Sequence, residues 1–180
     1  FRITSPSYQG FARCPKSSLS VADLPTKRFI MICVIQRVNS ATVYADGELS
    51  GSINKGLYLL LGVKVGDDKQ DATLLAEKIS KLRIFSDENG KMNLSIKDIG
   101  GRALVVTNFT LMANYAHGNR PDYLNSAPPA VANELYEFFM SELSERIGKC
   151  ESGKFGADMR TEMSTDGPVT IVMDSKVLRK

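Results

Sequence analysis

The chain has 180 residues, 43% hydrophobic and 24% charged, enough for one domain whose core removes roughly 70% of the unfolded surface from water. That composition excludes a disordered chain, and no apolar run approaches the roughly 18 residues of a membrane-spanning helix. The formal net charge of +3 sits in the first 30 residues, where Arg2, Arg13, Lys16, Lys27 and Arg28 face only Asp23; the 18 basic and 19 acidic residues beyond them can hold nucleic acid only through a local patch.

Residues 1–30 are rich in serine and proline, almost free of acid and without a sustained apolar period. They read as an extension outside the fold, and the domain is assigned to residues 31–180. Two origins fit the extension: an organellar transit peptide, or upstream sequence ahead of a start at Met31. The lack of an amphipathic helix favours the second.

From Met31 onward, residues 32–38 and 41–44 read as strand, and Asp46-Gly47 as a hairpin turn. Residues 57–63 form a continuous apolar run, the mark of a central strand buried on both faces. Asp67-Asp68 can cap a helix in which Ala72, Leu75, Ala76, Ile79 and Leu82 share one face, ending near Arg83. Asp87-Glu88-Asn89-Gly90 is a turn, and residues 103–106 are a second wholly apolar strand, leading into Thr107-Asn108-Phe109-Thr110. A polar loop follows over 114–125. Pro128-Pro129 can open a second helix carrying Val131, Leu135, Phe138, Phe139, Leu143 and Ile147 on one face, stopped by Gly148. Two short strands joined by a turn at Asp166-Gly167-Pro168 close the chain. With too few helices to cross over between all the strands, the class is α+β: mixed and antiparallel sheet packed with two main helices.

The sole histidine, His117, has no sequence cue for a partner, so a His-based triad has little support and the residue reads as a solvated loop side chain. No metal-ligand cluster is visible, and no metal or cofactor is expected. Cys33 alternates with apolar strand residues and reads as a small buried hydrophobe; nothing around Cys150 would lower its pKa. The glycines at 51, 56, 62 and 66 form no phosphate loop. Two segments stand out. Thr107-Asn108-Phe109-Thr110-Leu111 places hydroxyls and a carboxamide at the end of a buried strand, where they need partners or a cleft. Gly167-Pro168 lies between strands and can be cis or trans.

At these residues the sequence resembles the D-aminoacyl-tRNA deacylases. The likeness runs from Met31 to Asp174. It rests on Val34-Ile35-Gln36-Arg37-Val38, Leu59-Leu60-Leu61-Gly62-Val63, Leu82-Arg83-Ile84-Phe85, Gly90-Lys91-Met92-Asn93-Leu94, Gly118-Asn119-Arg120-Pro121, Phe155-Gly156-Ala157-Asp158-Met159 and Asp166-Gly167-Pro168-Val169-Thr170. The resemblance implies a cytoplasmic homodimer that acts on the 3′ end of aminoacyl-tRNA, hydrolysing the ester to a D-amino acid or glycine. It implies a Ser-Gln-x-x-Leu segment in one subunit and a cis Gly-Pro reaching in from the other. Thr107, Asn108, Phe109 and Thr110 match the first as catalytic residues. Gly167 and Pro168 match the second, with Arg37 holding them and Met159 on the substrate side.

An aminoacyl ester is already reactive, so a site that positions water and offers preformed backbone N–H groups to the oxyanion can suffice, with the substrate's 2′-hydroxyl assisting. Rigid Gly-Pro carbonyls would reject L substrates sterically. Thr110 is the traditional nucleophile candidate but has no visible base. Thr107-Asn108 departs from the family's Ser-Gln, and the shorter amide puts its reach in question. Two alternatives remain: the paralogous deacylase that clears L-alanine, whose Gly-Pro is trans, and a noncatalytic nucleic-acid-binding module.

Overall fold

The computed structural model describes residues 31–179; the extension expected at 1–30 lies outside them. The two runs expected at 32–38 and 41–44 are one strand, β1 (Ile32–Ala45). A bulge joins them: Val38 pairs with Thr165 and Ser40 with Ser164, leaving Asn39 as the extra residue. One extra residue inverts the alternation of side chains. Cys33 and Ile35 face one core and Val38 the other, and past the bulge Ala41 and Val43 share the face of Val38. Asp46 and Gly47, both at positive φ (53° and 87°), make the expected tight turn to β2 (Glu48–Ile53).

Strand β3 (Gly56–Gly62) pairs antiparallel with the first half of β1 and parallel with β6 (Arg102–Thr107). Between them come helix α1 (Lys69–Ser80) and a two-strand hairpin, β4 (Phe85–Ser86) and β5 (Met92–Leu94), closed by the expected turn at Asp87 to Gly90. Asp68 caps α1 in a reciprocal capping box with Asp71. The helix stops at Ser80, short of Arg83. Helix α2 (Pro129–Ile147) opens at the Pro-Pro pair and ends at Gly148, which adopts φ +90°. Its Leu135, Phe139 and Leu143 are buried with Leu75 and Ile79 of α1, whereas Val131, assigned to the same face, is exposed.

The sheet runs β2-β1-β3-β6-β7, with β7 (Glu151–Ser152) at one edge and β8 (Met159–Asp174) paired to β1. Because β8 follows β1 along its whole length, β3 and β2 take successive halves of the opposite edge. Leu57, Leu59, Leu61, Ala103 and Val105 therefore face the helices, while Tyr58, Leu104 and Val106 face a second cluster with Val38, Val43 and Ile53. Both faces of β3 and β6 are covered, and each leucine so buried contributes about 1.5–3 kcal/mol.

The turn expected at Asp166-Gly167-Pro168 is not a turn between two strands. Strand β8 is continuous, and Asp166, Gly167, Pro168 and Val169 are an excursion opposite Arg37 alone: Thr165 pairs with Val38 and Thr170 with Gln36. Pairing on both sides overrides the local turn signal. A short helix, α3 (Ser175–Leu178), follows. Beyond it, Arg179 donates from Nε to Asp71 Oδ1 at 2.8 Å and from Nη2 to Asp68 Oδ1 at 2.6 Å, and Ser175 Oγ donates to the fully buried Asp71 at 2.8 Å. This cluster ties the end of the chain to the start of α1, and Arg179 holds the Asp68 carboxyl below its ordinary range.

Candidate active site

The double cover ends at Thr107, the last residue of β6, which pairs with Leu61 at the end of β3. The next residue, Asn108, gives its N–H to the Leu61 carbonyl at 2.8 Å, so the chain stays in the sheet one residue longer and then turns into a single 3-10 turn, Phe109–Met112. Asn108 caps that turn. Its Oδ1 accepts the Thr110 N–H at 3.1 Å and also the Thr110 hydroxyl. The turn packs close because Gly62 has no side chain: a Cβ there would lie 2.8 Å from Met112 Cε and 2.9 Å from Leu111 Cβ.

Beside the turn opens a cavity of about 860 Å³ lined by Thr107, Asn108, Phe109 and Met159, and also by Tyr123 and Phe155. Met159 starts β8 and reaches it past Gly153, where a Cβ would collide with its sulfur at 2.5 Å. Tyr123 meets Phe109 edge-on, ring centroids 5.0 Å apart, and Ser126 Oγ donates to the Phe109 carbonyl at 3.2 Å. Sequence reasoning misses both Tyr123 and Ser126; the available signal is an aromatic residue placed among polar ones just before Pro-Pro.

The cavity wall at residues 63–67 is fixed to this loop. Ala127 donates its N–H to the Val63 carbonyl at 3.0 Å and Val65 donates to the Asn125 carbonyl at 2.9 Å. The turn itself is closed by Asp67, whose Oδ2 accepts the Lys64 N–H at 2.6 Å. Its other oxygen, Oδ1, is buried. Burial pushes this carboxyl up to about 7, against the opposing pull of the Lys64 amide.

Of the four residues assigned to catalysis, Thr107, Asn108 and Phe109 line the cavity and Thr110 does not. The Thr110 hydroxyl donates to the Asn108 carboxamide oxygen, which cannot take up its proton and so cannot serve it as a base. The Asn108 N–H is spent on the Leu61 carbonyl and is not free to serve an oxyanion. The Phe109 N–H, at the first position of the turn, has no acceptor ahead of it within the helix, and Phe109 lines the cavity. The shortened amide thus acts on its own turn.

Arg37, Gly167 and Pro168 lie elsewhere. Arg37 is buried to 8% exposure, donates from Nε to the Asp166 carbonyl at 3.2 Å, pairs with the Asp166 carboxylate at 3.0 Å and donates to the Ile84 carbonyl. It grips the foot of the excursion at Asp166, and its Nη2 would stand 3.3 Å from a Cβ placed on Gly167. Gly167 has φ +124°, the Gly167–Pro168 bond is cis as expected, and both residues are exposed. The excursion sits on β8, separated from β6 by β1 and β3, and level with Leu57, four positions before Leu61 on β3. At about 3.3 Å per residue and about 4.8 Å per strand, it is well outside its own chain's cavity.

His117 is exposed near the tip of the 114–122 loop, and Cys33 and Cys150 are buried, with burial pushing both thiols up. Among the described residues, no group of three or more histidine, cysteine or acidic side chains is placed to hold a metal ion, and no helix is long and apolar enough to cross a membrane.

A family model described as D-Tyr-tRNA(Tyr) deacylase matches residues 34–174. A curated relative from Thermosipho africanus, named D-aminoacyl-tRNA deacylase, is 51% identical over 81% of this chain and 98% of its own length. A solved structure named c-Myc DNA Unwinding Element Binding Protein superposes with a TM-score of 0.74 at 36% identity, covering 79% of this chain and 97% of that one. Another, described as a probable eukaryotic D-amino acid tRNA deacylase, shares the fold with a TM-score of 0.69 at 12% identity, over 80% of this chain and 98% of the other.

Proposed function

The chain belongs to the D-Tyr-tRNA(Tyr) deacylase family, and from that premise we propose that it hydrolyses the ester of D-aminoacyl-tRNA, releasing tRNA and the free D-amino acid, as a chiral proofreading enzyme of translation in the cytoplasm. Glycine mischarged on tRNA(Ala) belongs to the same substrate range, since a site that reads the common backbone of the amino acid has no side-chain requirement. The observation that carries this reading is the meeting of the Thr107 to Phe109 segment with Phe155 and Met159, from motifs nearly fifty residues apart, in one cavity.

The chemistry follows from what is present. The ester carbonyl oxygen is taken by the Phe109 N–H, a donor fixed before the substrate arrives. Water attacks, and the ribose hydroxyl next to the ester handles the proton, so Thr110 forms no acyl intermediate. Chiral selection needs a second copy of the chain. The partner's Gly167 and Pro168 enter the cavity, and a two-fold axis makes both sites at once. The exposed position of the excursion, gripped by Arg37 and remote from its own cavity, supports that arrangement.

A noncatalytic nucleic-acid-binding role is the second reading, favoured by the name of the 36% identical structure, a DNA unwinding element binding protein. The near-equal counts of basic and acidic residues in 31–180 weigh against it. Deacylation of D- and L-tyrosyl-tRNA by the purified protein separates the two. Rapid release from the D ester alone is the expected result, and equal rates on both would sink the proposal; a fully active monomer by sedimentation would remove the shared site.

A further inference from the structure

The loop at the mouth of the cavity is built as a rigid projection. Asn114 and Asp122 exchange both backbone hydrogen bonds, at 2.8 and 2.9 Å, and Asn114 Nδ2 donates to Asp122 Oδ2 at 2.9 Å. Asn114 Oδ1 accepts the Ala116 N–H and Asp122 Oδ1 the Leu124 N–H, both at 3.2 Å. Gly118 turns the tip at φ +83°. A loop closed by so many bonds at its base has little freedom left to lose when something binds.

What this projection displays is unusual for a surface with no use. Tyr115 is 78% exposed and Leu124, which lines the cavity, is 86% exposed. Arg120, also exposed, makes no ion pair among the described residues. The Asp122 carboxylate is consumed inside the loop, so it does not neutralise Arg120 by pairing. An exposed aromatic ring and an uncommitted guanidinium, on a loop whose base at Tyr123 and Leu124 lines the cavity, match the needs of unpaired nucleotides: a flat surface for a base and a cation for a phosphate. A body without a broad basic face must hold nucleic acid through a local patch of this kind.

We infer that the 114–124 loop is the docking platform for the unpaired nucleotides that precede the terminal adenosine of tRNA, with the Tyr115 ring stacking on a base and Arg120 meeting the backbone. The inference rests on the deacylase reading and extends it from the ester to the strand that carries it. The cavity takes the aminoacylated end, and the chain of nucleotides leaves it across Leu124 towards Tyr115.

The test compares Tyr115→Ala, Tyr115→Phe and Arg120→Ala in two measurements. In the first, KM and kcat are measured on D-tyrosyl-tRNA and on D-tyrosyl-adenosine, which lacks the preceding nucleotides. Tyr115→Ala should raise KM for the tRNA about tenfold relative to KM for the adenosine ester, with Tyr115→Phe restoring it and Arg120→Ala raising KM for the tRNA while making it less sensitive to salt. In the second, binding of the uncharged trinucleotide C-C-A is followed by fluorescence anisotropy, and Tyr115→Ala should weaken it. Unaltered trinucleotide binding, or equal KM changes on both substrates, would overturn the platform. A Tyr115 variant that becomes monomeric where the parent is dimeric would also overturn it, assigning the loop to a subunit interface. A parent protein that binds the trinucleotide through Tyr115 but cleaves neither ester would leave the platform standing and remove the deacylase reading.

Discussion

Replacing Asp67 with asparagine should flatten the dependence of stability on pH. Asp67 closes the turn that carries the cavity wall, and its carboxyl is raised from an ordinary 3.8 to about 7 by burial. Between those values the unfolded chain has lost the proton and the folded one retains it, so the folded state binds more protons and loses stability as pH rises. The contribution is largest below pH 4 and gone above pH 7. With the two pKa values, its loss between pH 5 and pH 8 comes to about 2.5 kcal/mol, out of a full span of about 4 kcal/mol. For a domain of this size that corresponds to a fall of about 5–10 °C in Tm. Thermal or urea unfolding of residues 31–180 at intervals across this range measures it. Asparagine keeps an acceptor for the Lys64 N–H and cannot ionise. Its absolute stability depends on whether the new amide N–H finds a partner, but its slope does not. Parent stability that is flat or rises from pH 5 to 8, or an Asp67→Asn variant that retains the parent's slope, would refute the argument.

Thr110→Val removes the hydroxyl while the main-chain N–H still bonds Asn108, so kcat on D-tyrosyl-tRNA should fall less than about tenfold; a loss of a thousandfold or more would restore Thr110 as nucleophile. Gly62→Ala sets a methyl within 3 Å of both Leu111 and Met112, which should cost about 1–3 kcal/mol of stability and lower kcat by shifting the Phe109 N–H; unaltered denaturation and rates would show the turn to be more yielding than its packing suggests. Arg37→Ala leaves Asp166 without its cation and the Ile84 carbonyl without its donor. It should cost about 2–3 kcal/mol, below the figure for a wholly buried pair because Asp166 is a third exposed, and should raise L-tyrosyl-tRNA hydrolysis relative to D; an unaltered chiral ratio would limit Arg37 to folding.

Both doubly covered strands are readable from the chain because an apolar run with no alternation has no solvent face to mark. The α1 cap is equally plain, since Asp68 and Asp71 have the spacing that reciprocal capping needs. The continuity of strand β8 is not, because Asp-Gly-Pro carries local turn chemistry, and nothing local reveals that β1 lies alongside and pairs on both sides. The same limit applies at the site. The motif leads to three residues, Thr107, Asn108 and Phe109, that line one cavity, but which N–H is spent depends on Leu61, a residue nearly fifty positions away. Tyr123 and the Asn114–Asp122 pairing stay hidden because a polar stretch does not disclose its internal bonds.

The two-sided burial of β3 and β6 also bears on how such a chain can change over generations. In a strand with one wet face, every second position is free to drift; along Leu57 to Leu61 and Ala103 to Val106 both parities are closed, so inherited replacements must match volume and polarity at consecutive sites. That constraint lapses at Thr107, where the cover ends. Asn108 meets its neighbours through its main chain and through a cap that several small polar side chains can form. A lineage could therefore exchange side chains at the lip of the cavity while the backbone they hang from stays where the closed strands put it.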